Sequence, residues 1–322
     1  MSTQKMKAII CEKYGSSDVL QLASINKPIP KDNEVLIKIH ATAVSSGDVH
    51  LRKADPFVIR LFFGLLKPRR PVLGYVLAGK VEATGKNVKR FKKGDSIYGT
   101  TGMQMGAYAE YTCLPEDGVL AIKPNNMTCE EAAAIPFGGN TALYFLRKGN
   151  IKYGQKVLVY GASGAIGTAA IQLAKYFGAE VTGVCSTTNL KMVKALGADK
   201  VIDYKTTDFT KNGETYDVIF DTVGKSSFSG SMQSLKEKGF YILAAAGVSA
   251  MLRGAWTSMI SSKKVISGVM SETAEDLVLF KALIEEGTVT AVIDKTYPLK
   301  DIAEAHAYVE KGHKKGNVVI VI

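Results

Sequence analysis

The stretch VLVYGASGAIGTAAIQLAKYFGAEVTGVCS, residues 157–186, decides the fold. A short apolar run breaks at Gly161-Ala162-Ser163-Gly164-Ala165-Ile166-Gly167. A helix-patterned segment with small residues follows, then a second apolar run. Strand, glycine turn and helix in that order are what a dinucleotide-binding βαβ unit requires. Gly161 permits the tight turn, Gly164 lets the backbone approach a pyrophosphate, and Gly167 lets helix and strand pack closely. The helix N-terminus offers free N–H groups and the positive end of its dipole. A tight βα turn without a ligand is the alternative reading of the same glycines.

The end of the second strand bears on which dinucleotide fits. In an NAD site an acidic residue there bonds the ribose hydroxyls. Here the strand ends in Cys185-Ser186-Thr187-Thr188-Asn189, with no acid between Glu180 and Asp199. A carboxylate would repel a 2′-phosphate, whereas Ser186, Thr187 and Lys191 can bond it, so NADP(H) is preferred over NAD(H). If those hydroxyls only cap the next helix, either nucleotide is accommodated.

Outward from this unit, residues from about 127 to 265 alternate helix and strand. QKVLVY, AEVTGVC, KVIDY, YDVIFDTVG and GFYILAAAG are nearly continuous apolar strands, as in a doubly wound parallel sheet. MTCEEAAAIPFGGNTALYFLRK reads as helical with an interruption near Pro136. Thr128 followed by Glu131 makes a capping box at its start. Residues 1–125 read instead as short strands punctuated by Gly, Pro, Asp and Asn. The tail ends in a lone strand, NVVIVI, which suits a return to the β-rich part. The expected organisation is a Rossmann domain, 127–265, inserted in a β-rich domain of residues 1–126 and 266–322.

Composition narrows the class. The 322 residues are 46% hydrophobic and 22% charged, as in an ordinary soluble globular chain. No apolar run reaches bilayer length, and MSTQKMKAII lacks the features of a signal peptide, so a cytoplasmic protein without stable membrane insertion is expected. Cys11, Cys113, Cys129 and Cys185 lie far apart and suggest free thiols. The net charge of +11 is spread along the chain. A basic soluble surface explains it without a specific nucleic-acid partner.

These motifs together resemble the medium-chain dehydrogenase/reductase superfamily over nearly the whole chain. The order of the β-rich segment, GASGAIGTAAIQLAKYFGAEVTG, ALGADKVIDY and KKGNVVIVI carries the resemblance, as does PVLGYVLAGKVEATGKNVKRFKKGDSIYG. The closest likeness is to its zinc-free quinone-oxidoreductase branch, which includes zeta-crystallin and plant alkenal reductases. The resemblance implies a GroES-like fold for the β-rich domain and a homodimer, for which KKVISGVM (263–270) is a candidate edge strand.

Departures from the zinc-dependent members are informative. The first Cys ligand position is Ser45, the His-Glu pair is Tyr75-Val76, and IPFGGNTALY has neither Cys nor acid. Neutral hydroxyls do not assemble a zinc site, and of the histidines (40, 50, 306 and 313) only His50 lies near the expected pocket. The chemistry implied is hydride delivery to an already electrophilic acceptor, a quinone or an α,β-unsaturated carbonyl. The protein then positions a small hydrophobic acceptor and hydrogen-bonds its oxygen.

By match to the family pocket, Ser45, Asp48, Tyr75 and Thr141 are the candidate catalytic residues. Tyr75 either bonds the substrate oxygen or fills the space vacated by metal; Asp48 is either catalytic or a turn residue. Cofactor contacts are expected from Ser46, Asn140, Thr141, residues Gly161–Gly167, Ser186, Thr187, Lys191, Tyr204, Val223, Gly224, Ala245, Ala246 and Gly247. PFVIRLFFGLL (56–66) is a pocket lid or a core helix, with a membrane contact as a third reading. A dinucleotide-binding or RNA-binding protein of low turnover, or a reductase of another carbonyl class, is the competing functional reading.

Overall fold

The computed structural model describes residues 4–245 and 247–322. It comprises two compact units: one runs to Phe137 and resumes at Thr273, and the other is Gly138–Glu272.

The first unit opens with an antiparallel pair, β1 (Lys5–Cys11) and β2 (Leu20–Asn26). Strand β3 (Glu34–Val44) then leads into helix α1 (Ser46–Lys53) and the short helix α2 (Ile59–Phe63). Strands β4 (Val76–Thr84), β5 (Ser96–Thr100), β6 (Tyr111–Pro115) and β7 (Leu120–Ile122) follow. Strand β3 pairs antiparallel with both β4 and β6. Its pairing with β4 slips register at two places, and Gly79 lies at one of them. A Cβ there would stand 2.1 Å from the Lys38 carbonyl oxygen, so only glycine allows the approach. Leu77, Ile97 and Leu120 fill the core on this sheet, and Ile9, Leu73 and Ile302 belong to a second cluster.

Helix α3 (Cys129–Lys148) passes through the division at residues 137 and 138. The sequence reading places the domain boundaries at 126/127 and 265/266, where composition changes. The capping box is present, with the Glu131 amide donating to the Thr128 hydroxyl and the Thr128 amide to the Glu131 carboxylate. Pro136 lies inside the helix and does not interrupt it, contrary to the sequence reading. A proline removes one N–H bond and bends a helix, but Leu143, Phe145 and Leu146 are buried and hold the last turns in place.

The second unit alternates strand and helix: β8 (Lys156–Tyr160), α4 (Ala165–Tyr176), β9 (Glu180–Cys185), α5 (Leu190–Ala195), β10 (Lys200–Asp203), β11 (Tyr216–Asp221), α6 (Phe228–Gln233), β12 (Leu235–Leu243), α7 (Val248–Ile260) and β13 (Lys264–Ser267). All neighbours are parallel, in the order β10-β9-β8-β11-β12-β13. Leu158, Val184 and Ile219 are fully buried here, each contributing roughly 1.5–3 kcal/mol. The chain runs outward from β8 to β10, then returns to β8's other side at β11. Ligands bind outside the carboxyl ends of strands at such a reversal.

The chain then re-enters the first unit with α8 (Ala274–Glu285), β14 (Ile293–Pro298), α9 (Ile302–Glu310) and β15 (Asn317–Val321). Strand β15 lies between β14 and β3. Among the described residues no helix is long and apolar enough to cross a membrane.

Candidate active site

In the second unit, the turn after β8 has the geometry its glycines imply. Gly161 adopts φ +80°, and a Cβ on Gly167 would lie 2.2 Å from the Gly161 carbonyl oxygen. Gly164 differs: its Cβ position has one neighbour within 4 Å, the same oxygen at 3.6 Å, with open space beyond. Gly164 is also the N-cap of α4 and supplies no side-chain cap. An open cradle at an uncapped helix N-terminus fits a pyrophosphate. Ala162 and Ala165 are buried behind it, while Ser163 and Ile166 are half-buried.

Ser163 is tied to the end of β9. The amide of Asn189, a buried residue, donates to the Ser163 hydroxyl at 3.0 Å and to Ser186 at 3.2 Å. Sequence reading passed over Asn189. Thr187 donates its hydroxyl to Asp203. That bond, followed by the Lys205 amide, holds the Asp203 carboxyl below its ordinary range. Asp203 stands opposite Cys185 in the β9–β10 pairing, so an acid does reach this corner, from the neighbouring strand. Lys191 is exposed at the start of α5, the helix after β9. Cys185 is buried packing, its thiol pushed up to about 11 by desolvation. Tyr204 is half exposed and lines a cleft of about 300 Å³ with Tyr160, Asp208 and Ser226.

On the other side of β8, the fully buried Asp221 carboxylate accepts from the amides of Val223, Gly224 and Ser226 and from the Ser226 hydroxyl, at 2.6–2.9 Å. It thereby fixes the loop that carries Val223 and Gly224. Ala245 is exposed, Gly247 caps α7, and Ala246 lies outside the described residues. Lys263 donates to the Met232 carbonyl and Lys264 to that of Ser258, so both secure local structure. Gly138 packs against α4, where a Cβ would meet the Ala165 carbonyl oxygen at 2.4 Å. This draws Asn140 and Thr141 toward the glycine turn. Asn140 donates to Glu272 at 3.1 Å, and its Oδ1 is buried without a partner. The Thr141 hydroxyl lies 3.0 Å from the Met270 sulfur.

In the first unit, Ser45 caps α1. The Asp48 carboxylate accepts from the Ser45 amide at 2.9 Å and hydroxyl at 2.6 Å, and the Asp48 amide donates back to Ser45. Both residues are buried; Ser46 and His50 face outward. Desolvation, opposed by the bonds from Ser45, pushes the Asp48 carboxyl up to about 6. Behind it lies a polar cluster that sequence reading missed. The Tyr108 hydroxyl is 3.1 Å from His306 Nε2, and Arg52, fully buried, reaches Glu310 at 2.6 Å. Burial and the Arg52 cation bring the His306 imidazole down to about 3. The one available signal was the i,i+4 spacing of Asp48 and Arg52 on α1.

Tyr75 is half-buried at the foot of β4, with its ring edge-on to Phe137 at 6.3 Å. Its carbonyl accepts from the Thr101 amide at 2.7 Å. A Cβ on Gly47 would touch the same Phe137 ring at 3.6 Å. Tyr75 and the N-terminus of α1 thus flank one aromatic side chain. Among the described residues no three of His, Cys, Asp and Glu gather as metal ligands. Ser45 and Tyr75 offer neutral hydroxyls, a donor set that does not fit zinc.

Residues 31–124 match the alcohol dehydrogenase GroES-like domain, and 196–320 match the zinc-binding dehydrogenase family. The chain is 35% identical to a 2-methylene-furan-3-one reductase of Solanum lycopersicum, over 98% of its length and 79% of the relative's. It is 32% identical to an NADPH-dependent alkenal/one oxidoreductase, chloroplastic, of Arabidopsis thaliana, over 98% of its length and 80% of the relative's. The structure of a quinone oxidoreductase from Coxiella burnetii superposes with a TM-score of 0.90 at 29% identity, covering 99% of this chain and all of that one.

Proposed function

Since this chain belongs to the zinc-free, quinone oxidoreductase-like branch of the medium-chain dehydrogenase/reductase family, we propose that it reduces quinones or α,β-unsaturated carbonyls with NADPH and without a metal. The observation that carries the reading is the cradle at Gly164, where the uncapped start of α4 meets a position whose one neighbour within 4 Å is the Gly161 carbonyl oxygen at 3.6 Å. Bound there, the nucleotide supplies a hydride. The chain's own part is to hold the ends of the cofactor and to stabilise charge on the acceptor.

Backbone N–H groups at the start of α4 take the pyrophosphate, and Ser186, Thr187 and Lys191 take the adenosine end. Preference for NADPH rests on Lys191 and the two hydroxyls, with Asp203 working against it. Asn140, with its buried unpaired oxygen, and Thr141 are the groups for the nicotinamide end. In the β-rich unit, Tyr75 offers a hydroxyl to the acceptor oxygen. Hydride addition at the β-carbon of an enone moves an electron pair onto that oxygen. A donor placed there lowers the barrier without a Lewis acid, and a solvent proton completes the reduction. Ser45 and Asp48, being bound to each other, act as the rigid floor of this region. Strand β13 is the edge of its sheet and is the surface we assign to pairing in a homodimer, to be read from the mass in solution.

The test is NADPH consumption, with NADH in parallel, against quinones and short and long enones in the presence of a chelator. NADPH-selective turnover that survives chelation is the expected result. Tight NADPH binding with no turnover on any acceptor would overturn the proposal, and loss of activity on chelation would overturn its metal-free part.

A further inference from the structure

The β-rich unit contains a concavity of about 260 Å³, lined by Leu51 of α1 and by Leu73, two residues before Tyr75. Its floor is apolar and buried, formed by Pro68, Leu73 and Met105, and Tyr14 forms part of the wall. Its rim carries Arg69 and Arg70, both exposed. The turn that shapes it is held firmly. Tyr14 donates its hydroxyl to the Gly64 carbonyl at 2.7 Å, and the Arg69 amide donates to Phe63 at 2.7 Å. Gly64 adopts φ +124°, and a Cβ there would meet the Lys67 carbonyl oxygen at 2.1 Å.

The charge around this cavity is one-sided. Residues 53–70 hold Lys53, Arg60, Lys67, Arg69 and Arg70 against a single acid, Asp55. Lys53 pairs with Glu310. The other four form no ion pair among the described residues. Arg70 is steadied at the rim by a bond to the Gln104 carbonyl at 3.0 Å, whereas the Arg69 side chain has no hydrogen-bond partner among the described residues. Of the lining side chains, Phe62 and Met103 are 65% and 63% exposed, an apolar approach to an apolar floor.

We propose that this cavity binds an anionic amphiphile of the fatty-carboxylate class, its chain on the buried floor and its carboxylate at Arg69 and Arg70. Pockets combine an apolar lining with a few placed polar groups, and guanidinium matches carboxylate in shape and charge. At about 30 Å³ for a water-sized group, the volume takes roughly eight methylenes. A concavity with a buried floor at Pro68, Leu73 and Met105 favours a single chain over contact with a membrane surface, which would use the exposed side chains alone. The site is independent of the nucleotide and stands or falls separately from the reductase reading.

The experiment is calorimetric titration of the full chain, without cofactor, with carboxylates from hexanoate to tetradecanoate below their micellar concentrations. Decanol and decyltrimethylammonium serve as controls. Affinity is expected to rise about tenfold for every two methylenes and to level off once the cavity is full. Arg69→Gln with Arg70→Gln is expected to weaken decanoate about fivefold and leave decanol unchanged; both side chains are exposed, so folding is not at stake. Absence of binding, equal binding of the cationic amphiphile, or a rise with length that never levels would overturn the proposal. So would co-sedimentation with anionic vesicles that decanoate does not displace.

Discussion

The Asp48 carboxylate accepts both the hydroxyl and the amide of Ser45, closing a capping box that is buried at the start of α1. Two bonds do not offset full desolvation. In the unfolded chain this carboxyl ionises near 3.8; in the folded chain it does so at about 6. Between those values the folded state holds more protons, so stability falls as pH rises through the window, by ~3 kcal/mol in all. Asp48→Asn removes that dependence. Urea unfolding of both chains at about pH 4 and pH 7 checks it: the variant should gain on the native chain as pH rises. A difference that stays constant with pH would show that Asp48 is ionised without penalty.

A substitution at Gly164 tests nucleotide binding apart from folding. A Cβ at Gly164 makes only an ordinary contact, 3.6 Å from the Gly161 carbonyl oxygen, so for Gly164→Val the melting temperature is expected to move by less than about 2 °C. NADPH affinity, measured by fluorescence titration, is expected to fall at least roughly tenfold because the branched side chain fills the cradle. Gly167→Ala, with its Cβ 2.2 Å from a carbonyl oxygen, should lower both. Unchanged NADPH affinity in Gly164→Val would place the pyrophosphate elsewhere.

A 2′-phosphate at the Thr187 corner would meet the Asp203 carboxylate bonded there. Asp203→Asn is expected to raise the ratio of NADPH to NADH in kcat/KM by about fivefold to tenfold, the size of a single like-charge interaction near a surface. Lys191→Ala should lower the same ratio. Steady-state kinetics with both nucleotides decides, and a ratio indifferent to both changes removes this corner from nucleotide selection.

Tyr75 is tested by its hydroxyl alone. Tyr75→Phe keeps the ring against Phe137 and is expected to lower kcat/KM for an enone roughly 10- to 100-fold with the KM for NADPH unchanged. A variant as active as the native chain would make Tyr75 a packing residue.

How much of this was readable from the residues depends on distance along the chain. The glycine turn and the Thr128–Glu131 capping box are local patterns whose geometry follows from a few adjacent residues. Asp203 was not readable as a neighbour of Thr187, because only the parallel register of β9 and β10 brings it there. Tyr108 and His306 are 198 positions apart, and nothing in either segment marks the other. His306 lies on the short helix α9 and is fully buried. Pro136 shows the converse: a strong local breaker was overruled by buried side chains further along the same helix.

Strand β15 pairs Val318 with Val44 and Val319 with Ala43, so the sheet whose strand β3 leads into Ser45 is joined by residues near position 320. During synthesis at about 5–20 residues per second, the parallel sheet of the second unit can close as soon as β13 has emerged. The first unit must wait, with β3 one partner short on that side. The glycine turn after β8 therefore finds its sheet before the sheet beside Tyr75 is complete, and a ribosome stalled after β13 leaves the second unit closed with the first still open at β3.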